Sequence, residues 1–454
     1  MPGVAVPHSR RVLPCLLLMT LAVLATPARA ALLPDSTVAD AWRLENGLEV
    51  RTRSIPGAKG VAVTLAFRAG AGYEPAGQAG LSELLAELEF MSAAGDVPER
   101  TREEMASLRP LGWESRPGTR LVRFTEIASV PQLPGVLQQF AARLAGVTVT
   151  DASLKLALAQ VRRDAGARLF GDPADVLYWR ASALARGFSD EQIVRHASMP
   201  GLSRLTPREV LARLHSWYQP GNASLALAGD LSSLDVHALI GALFGKLPGS
   251  AAMRDTVEVR LHANKRTEPC KGLTAPVGVV ATSALALTDS LHAGFFVGML
   301  VTGAGINTSW GRPGPPLAAR FQYSLLDEPE LVRFYPPVRA DATDPDLLAG
   351  ALYEQLQVVG GQMVTAGVLK QMRLSVRWLL GAELPRDVLH QFRAEPGAMG
   401  TLSSGMATRA LWMGDAFWNG YLANLDRLSL GHSFFYDRLA DARNQTLLLL
   451  TPEK

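Results

Sequence analysis

The order of the predicted strands and helices constrains the fold most, because it occurs twice along the chain. Residues 42–50 predict a hairpin with an Asn-Gly turn, residues 61–67 a strand, and residues 78–92 a helix with one leucine stripe. A buried strand at 223–228 closes this series, and a second series ends in a similar strand at 446–450. Strands mixed with helix pairs, twice over about 210 residues each, predict an α+β protein. We expect two similar halves, each a mixed or antiparallel sheet with helices packed on one face.

A polar stretch punctuated by proline and glycine separates the two series. It runs over residues 246–272 and is typical of a linker. The expected domains are therefore residues 31–245 and residues 273–454. Apolar residues make up 48% of the 454 residues and charged residues 19%, which allows a sizeable core and excludes wholesale disorder.

Residues 1–30 are typical of a secretory signal peptide. Ser9-Arg10-Arg11 supplies the basic start, residues 16–25 the apolar run, and Ala28-Arg29-Ala30 a small-residue cleavage site. The apolar run is short for a membrane span. We expect a mature chain that begins near Ala31 and is periplasmic or secreted, exported by the general or the twin-arginine route. Retention of the uncleaved leader as an anchor stays open.

The mature chain is electrically balanced and has a single cysteine. The net charge of +3 comes from the three arginines of the leader, and without them 42 basic residues face 42 acidic residues. The charge balance therefore gives no indication that the partner is a nucleic acid. Cys270 is the one cysteine after the leader, so we expect no internal disulfide.

Five motifs of the first half carry a resemblance to a known family. They are the segments LENGL, GYEP, GLSELLAELEF, WYQPGNA and AGD, at residues 44–48, 72–75, 80–90, 217–223 and 228–230. In this order and spacing the chain resembles the insulinase/pitrilysin-type zinc peptidases, over nearly the whole first half and only faintly over the second. The resemblance implies that the two α+β halves form a clam-shell.

The zinc motif of that family is degenerate in this chain. In the pattern His-x-x-Glu-His on the first helix, the two histidines bind zinc and the glutamate activates a water. In the register set by Gly80 and Phe90, Glu83 and Glu87 replace the histidines and Ala86 replaces the glutamate. We therefore expect no catalytic residue and no metal in this chain, and zinc only in a partner subunit.

The family's third zinc ligand, a glutamate on a later helix, is also replaced. Residues 152–169 contain no glutamate, and alignment on Arg162-Arg163 places Val161 at the ligand position, with Asp164 as the one acid of this segment. The seven histidines of the mature chain offer no helical ligand pair, because the closest two are nineteen residues apart. A metal site made of carboxylate oxygens alone, from Glu83, Glu87 and Asp164, stays open.

The resemblance also indicates where a peptide would bind. Family members add an extended peptide to an edge strand, which corresponds here to residues 113–119. Arg116-Pro117 stand where Asn-Ala is usual, and proline removes a hydrogen-bond donor. Either the peptide groove is weakened or this edge faces something else. The family's arginine and tyrosine, seven residues apart, are not restored in residues 309–323, which leaves as substrate-binding candidates Arg312, Arg320 and Tyr323.

These observations predict a catalytically inactive insulinase-like subunit of a periplasmic zinc metallopeptidase complex. The resemblance implies pairing with an active His-x-x-Glu-His chain, in a hetero- or homodimer that forms a peptide-processing chamber. Two other functions stay open. One is an active metallopeptidase with acidic ligands in place of the histidines, and the other is a stand-alone peptide-binding or scaffold protein.

Overall fold

The computed structural model of this chain describes residues 38–453, apart from residues 252, 254–256, 312, 361–364, 383–394 and 430–435. The predicted signal peptide and the candidate residue Arg312 lie outside the described residues.

Six strands form the first sheet: β1 (Val38–Arg43), β2 (Glu49–Ser54), β3 (Val61–Phe67), β4 (Trp113–Pro117), β5 (Val122–Ala128) and β6 (Ala223–Gly229). They lie in the order β1-β2-β6-β3-β5-β4. β2 and β6 run parallel, and every other neighbouring pair is antiparallel. The three central strands β6, β3 and β5 are buried along their whole length, as expected for strands covered on both faces. The predicted hairpin is confirmed, with Gly47 at a φ of +95° in its turn.

Eight helices follow or interrupt these strands in the described part of the first half. They are α1 (Leu81–Met91), α2 (Arg102–Leu108), α3 (Leu133–Ala145), α4 (Asp151–Phe170), α5 (Pro173–Ala185), α6 (Asp190–Ser198), α7 (Pro207–Trp217) and α8 (Val236–Phe244). Threonine side chains cap the amino ends of three of these helices. The hydroxyls of Thr101, Thr150 and Thr206 each accept a hydrogen bond from a backbone N–H of the first turn.

Five strands form the second sheet: β7 (Asn264–Cys270), β8 (Val277–Ser283), β9 (Phe321–Ser324), β10 (Glu328–Phe334) and β11 (Gln445–Pro452). Their order is β7-β11-β8-β10-β9, with β7 and β11 parallel and the other neighbours antiparallel. This sheet repeats the plan of β2-β6-β3-β5-β4 strand for strand and direction for direction. The prediction of two similar α+β halves is therefore confirmed. Strand β7 lies within residues 246–272, the segment that the sequence indicated as a linker.

The described helices of the second half are α9 (His292–Ser309), α10 (Asp346–Gly360), α11 (Ala366–Leu379), α12 (Pro396–Leu411), α13 (Gly414–Asp426) and α14 (Tyr436–Ala440). No helix in the described ranges has both the length and the apolar content needed to cross a bilayer. Cys270 is buried and is a free thiol.

Each half contributes one helix to the sheet of the other. Helix α12 packs across β2, β6, β3 and β5 of the first sheet, and helix α5 packs across β7, β11 and β8 of the second. The hydroxyls of Thr64 on β3 and Ser403 on α12 are 2.7 Å apart, and Leu177 of α5 shares a buried cluster with Leu448 of β11. Both faces of each sheet are therefore covered.

Arginines of the first half also bind the carboxyl ends of helices in the second half. Arg53 donates to the carbonyls of Gly381 and Ala382, at 3.3 and 3.0 Å, just beyond α11. Arg68 donates to the carbonyl of Leu411, the last residue of α12. A cation at a helix carboxyl end satisfies carbonyls that have no intrahelical partner and complements the helix dipole.

We predict that Asn46→Asp lowers the free energy of unfolding by about 2–4 kcal/mol. The buried Asn46 amide donates to the carbonyls of Phe244 and Leu247, at 2.7 and 3.2 Å, and so holds the end of α8 against the first hairpin. A carboxylate cannot donate and would face both carbonyl oxygens. Urea unfolding measures the loss, with the exposed Glu45→Gln as the control. Equal stability of the two variants would contradict this role of Asn46.

Candidate functional site

Helix α1 carries the degenerate motif and is anchored at its amino end. The carboxylate of Glu74 accepts the backbone N–H groups of Gly80 and Ser82, at 3.0 and 2.8 Å. The Ser82 hydroxyl donates to the carbonyl of Ala69 at 2.6 Å. Burial raises the pKa of Glu74 to about 7, although these two backbone hydrogen bonds oppose the rise. The start of the helix is therefore fixed against the end of β3.

The motif positions Glu83, Ala86 and Glu87 lie on α1 as the sequence register predicts. Ala86 is 1% exposed and presents a methyl group where the family's glutamate would stand. Val161, at the third-ligand position on α4, is 3% exposed and belongs to the first apolar core. Two of the matched positions therefore carry no atom that can hold an ion or accept a proton.

Arg102 fills the space between the two helices of the motif. Its Nη2 lies 2.7 Å from Oε2 of Glu87 on α1 and 2.8 Å from Oδ2 of Asp164 on α4. Its Nε donates to the other oxygen of Glu87 at 3.3 Å. Burial by itself would lower the pKa of Arg102, but the two carboxylates raise it. One nitrogen of Arg102 thus links α1 to α4, and its guanidinium group stays charged.

A second arginine neutralises the remaining acid of the motif. Arg168, one turn after Asp164 on α4, lies 2.5 Å from Glu83 and stacks 5.0 Å from the ring centre of Trp179. His196 on α6 lies close enough for the charges of Glu83 and Arg168 to act on it, and burial lowers its pKa. All three motif-region carboxylates are therefore paired with arginine.

Sequence reasoning missed the residues that complete this cluster. Arg102 lies 15 residues from Glu87 along the chain and Arg168 lies 85 residues from Glu83, and no family motif marks either arginine. The sequence did contain one signal for Arg168. It follows Asp164 by four residues, which places both side chains on the same face of α4. In the part of the chain that the structure describes, no three histidine, cysteine or acidic side chains form a group able to hold a metal.

Strand β4 is an edge strand of the first sheet, as the sequence indicated. It pairs with β5 on one side only. Pro117 is its last residue, so the missing donor falls at the end of the strand. The side chain of Arg116 points to the second half and lies 2.8 Å from Asp327. The edge therefore has a neighbour from the other half beside it.

The structure places Arg320 and Tyr323 among internal contacts. Arg320 donates to the carbonyl of Tyr335 at 3.2 Å. The Tyr323 hydroxyl lies 3.0 Å from the carbonyl of Pro329 and 3.0 Å from Nε2 of His292. Substrate binding by these side chains stays a prediction.

The bonds around His292 show which ring nitrogen carries a proton, and its burial shows that the other does not. Because a carbonyl only accepts, the Tyr323 hydroxyl donates to Pro329 and accepts from Nε2–H of His292. Nδ1 is then the acceptor for the hydroxyl of Tyr421, at 2.9 Å. His292 is fully buried, and burial lowers its pKa to about 4 although Asp289 opposes this. The ring is therefore neutral and links α9, α13 and the β9–β10 region.

The family model described as the peptidase M16 inactive domain matches residues 204–281. The fold is similar to a protease from Helicobacter pylori (16% identity, 91% of this chain and 99% of that chain, TM-score 0.66). It is also similar to a chain of complex III2 from Candida albicans (14% identity, 90% and 95%, TM-score 0.62). No curated protein sequence matches.

A third solved structure is about twice as long as this chain. The periplasmic protease PqqL from Escherichia coli is 15% identical over 93% of this chain, with a TM-score of 0.59, but the match covers only 48% of PqqL. Together with the M16 family model, these similarities show that the chain has the fold of the M16 peptidases. The resemblance to insulinase-type peptidases is thus confirmed.

We predict that Arg102→Met lowers the free energy of unfolding by about 1–2 kcal/mol, because Glu87 and Asp164 lose their shared cation. Arg102→Lys keeps the charge but not the planar fork, and should lose less. Urea unfolding at neutral pH measures both.

The matched control for Arg102 is Arg195→Met, which removes an exposed pair with Glu191 one turn away on α6. Its effect should stay below about 0.5 kcal/mol. If Arg102→Met is as stable as the wild type, the linking role of Arg102 is contradicted.

We predict that stability falls between pH 6.5 and pH 4 by about 3 kcal/mol through His292 alone. The folded pKa lies below the ordinary value, so the unfolded chain takes up the proton first as the pH drops. Urea unfolding across this range should show a steeper decline for the wild type than for His292→Gln. Parallel curves for the two proteins would refute the assignment of a neutral His292.

Proposed function

We propose that this chain is a non-catalytic subunit of an insulinase-type zinc peptidase complex in the periplasm or outside the cell. In this proposal it pairs with an active His-x-x-Glu-His chain and supplies part of the peptide-processing chamber. The observation that carries the proposal is the position of Arg102, whose nitrogen stands between Glu87 and Asp164.

The residues at the motif positions do not fit a zinc ion. Zinc sites in proteins use imidazole, thiolate and a limited number of carboxylates, and here both imidazole positions are glutamates. Arg102 and Arg168 add two fixed positive charges within hydrogen-bonding distance of these carboxylates. A divalent cation that binds these carboxylates would have to displace both arginines from them. The positive charges of the arginines would then lie next to the cation and repel it.

The alanine at position 86, where the family has its general base, is an independent reason to expect no hydrolysis by this chain. Hydrolysis of a peptide bond needs a group that accepts a proton from water, and this assistance contributes typically 10²–10⁴-fold. Ala86 has no such group, and the neighbouring carboxylates are engaged by arginine. These facts favour the inactive subunit over a peptidase with acidic ligands.

A protein partner agrees with the known relatives of this fold. PqqL contains this fold in about half of its chain, so a second part of similar length is attached to it covalently. A chain of complex III2 belongs to a larger assembly. In our proposal a separate active subunit supplies what the second half supplies in a longer chain. The expected signal peptide and the periplasmic location of PqqL support the proposed compartment.

The first test concerns metal and activity in the isolated chain. The purified mature protein should carry no stoichiometric zinc and should not cleave unstructured peptides, with or without added zinc. Elemental analysis and a peptidase assay measure this. Stoichiometric metal together with turnover that Glu83→Ala and Glu87→Ala abolish would replace the proposal by the active metallopeptidase.

The second test concerns the partner. Co-expression with a His-x-x-Glu-His homologue from the same cell should yield one complex in size-exclusion chromatography, with more peptidase activity than the homologue alone. Full activity of the homologue by itself, with no complex, would disprove the pairing. A pull-down from envelope extract that recovers only non-peptidase proteins would favour the scaffold function.

A further inference from the structure

Three acids within four residues lie at the junction of the two halves. The segment from Leu325 to Glu330 comprises the turn between β9 and β10 and the first three residues of β10, and we call it the acidic turn. Asp327, Glu328 and Glu330 each reach an arginine of the first half.

Asp327 binds two arginines of neighbouring strands. Arg116 on β4 lies 2.8 Å from its Oδ2, and Arg123 on β5 contacts its Oδ1. The hydroxyl of Ser324 donates to Asp327 at 2.7 Å and holds the carboxylate toward the first half. Arg123 also donates to Thr408 on α12. Asp327 thus fastens the acidic turn to the edge of the first sheet.

Glu330 binds a third arginine of the first half. Arg120, between β4 and β5, lies 2.9 Å from Glu330, and its Nη1 donates to the carbonyl of Val257 at 2.6 Å. The guanidinium also stands 5.6 Å from the ring centre of Trp412. Arg120 therefore contacts the segment between the halves, the acidic turn and the end of α12 at once.

Glu328 makes the buried contact of the acidic turn. It is 6% exposed and lies 2.5 Å from Arg186 at the end of α5. Arg333 on β10 binds the same carboxylate and stands 4.0 Å from the ring centre of Tyr178 on α5. Burial would raise the pKa of Glu328, but Arg333 and Arg186 lower it below its ordinary value, so the carboxylate stays charged.

We propose that the acidic turn is a clamp that fixes the two halves of the chain to each other. Separating the halves would take both arginines from Asp327 and Arg120 from Glu330, and it would leave the buried Glu328 with Arg333 but without Arg186, which is unfavourable because these charges are partly or fully buried. The exchanged helices α5 and α12 tether the halves, and the clamp adds ion pairs between them. The chain then moves as one body.

This inference deepens the proposed function, on which its consequence for the chamber rests. If the halves cannot open within this chain, a chamber built with a partner opens between the two chains. The clamp itself is a property of the isolated chain and can be measured without any partner.

The test is a distance measurement between spin labels on the two halves. Labels at Lys155→Cys on α4 and Glu354→Cys on α10, both exposed sites, are introduced into the chain with Cys15 and Cys270 replaced by alanine. We expect one narrow distance distribution, unchanged in about 0.5 M NaCl, because buried pairs are screened little. A second, longer distance in this protein would overturn the proposal.

Clamp variants complete the test. Asp327→Asn/Glu330→Gln removes the outer contacts and Glu328→Gln removes the buried one, and each should broaden the distribution or add a longer distance. Glu191→Gln, which breaks an exposed pair within α6, is the control and should leave the distribution unchanged. If the double variant keeps the narrow wild-type distance, the acidic turn is not a clamp, even where Glu328→Gln fails to fold.

Failure of the clamp and failure of the proposed function give different results. A chain with two distances that still co-elutes with an active homologue refutes the clamp alone. A chain with one narrow distance that binds no homologue refutes the pairing alone.

Discussion

The exchange of helices between the halves is the constraint on which the rest of the structure depends. Each sheet has two apolar faces, and the helices of its own half leave one face to be covered by a helix of the other. Small residues on α12 permit the close approach, since a Cβ atom at Gly400 would lie only 3.3 Å from the side chain of Ile127 on β5. The hydroxyls of Thr64, Thr125 and Ser403 satisfy one another where this helix crosses.

The exchanged helices bring groups of opposite charge together at the junction of the two halves. Arginines of the first half meet helix carboxyl ends and carboxylates of the second half, as Arg53 does beyond α11 and Arg186 does at Glu328. Arginine suits this position because its planar fork donates several hydrogen bonds and remains charged when partly buried. The polar contacts therefore select one relative position for the two sheets, while the apolar helices supply the burial.

The degenerate motif is explained by the same use of arginine. A metal ion would link α1 to α4 through their side chains, and Arg102 makes that link between Glu87 and Asp164 without a metal. A guanidinium group holds carboxylates in place, but it does not lower the pKa of a bound water as zinc does. The structural role of the ion can thus be kept while its chemical role is lost.

The sequence by itself determined the strands of the first sheet, the motif register and the loss of the base at Ala86, because these follow from local periodicity and fixed spacings. It also showed that two similar series follow one another. Only the tertiary structure decided which cations meet Glu83 and Glu87, since Arg168 and Arg102 approach from distant segments. It likewise decided the burial of Tyr323 against His292. Contacts between remote side chains depend on how helices pack, and no spacing along the chain encodes them.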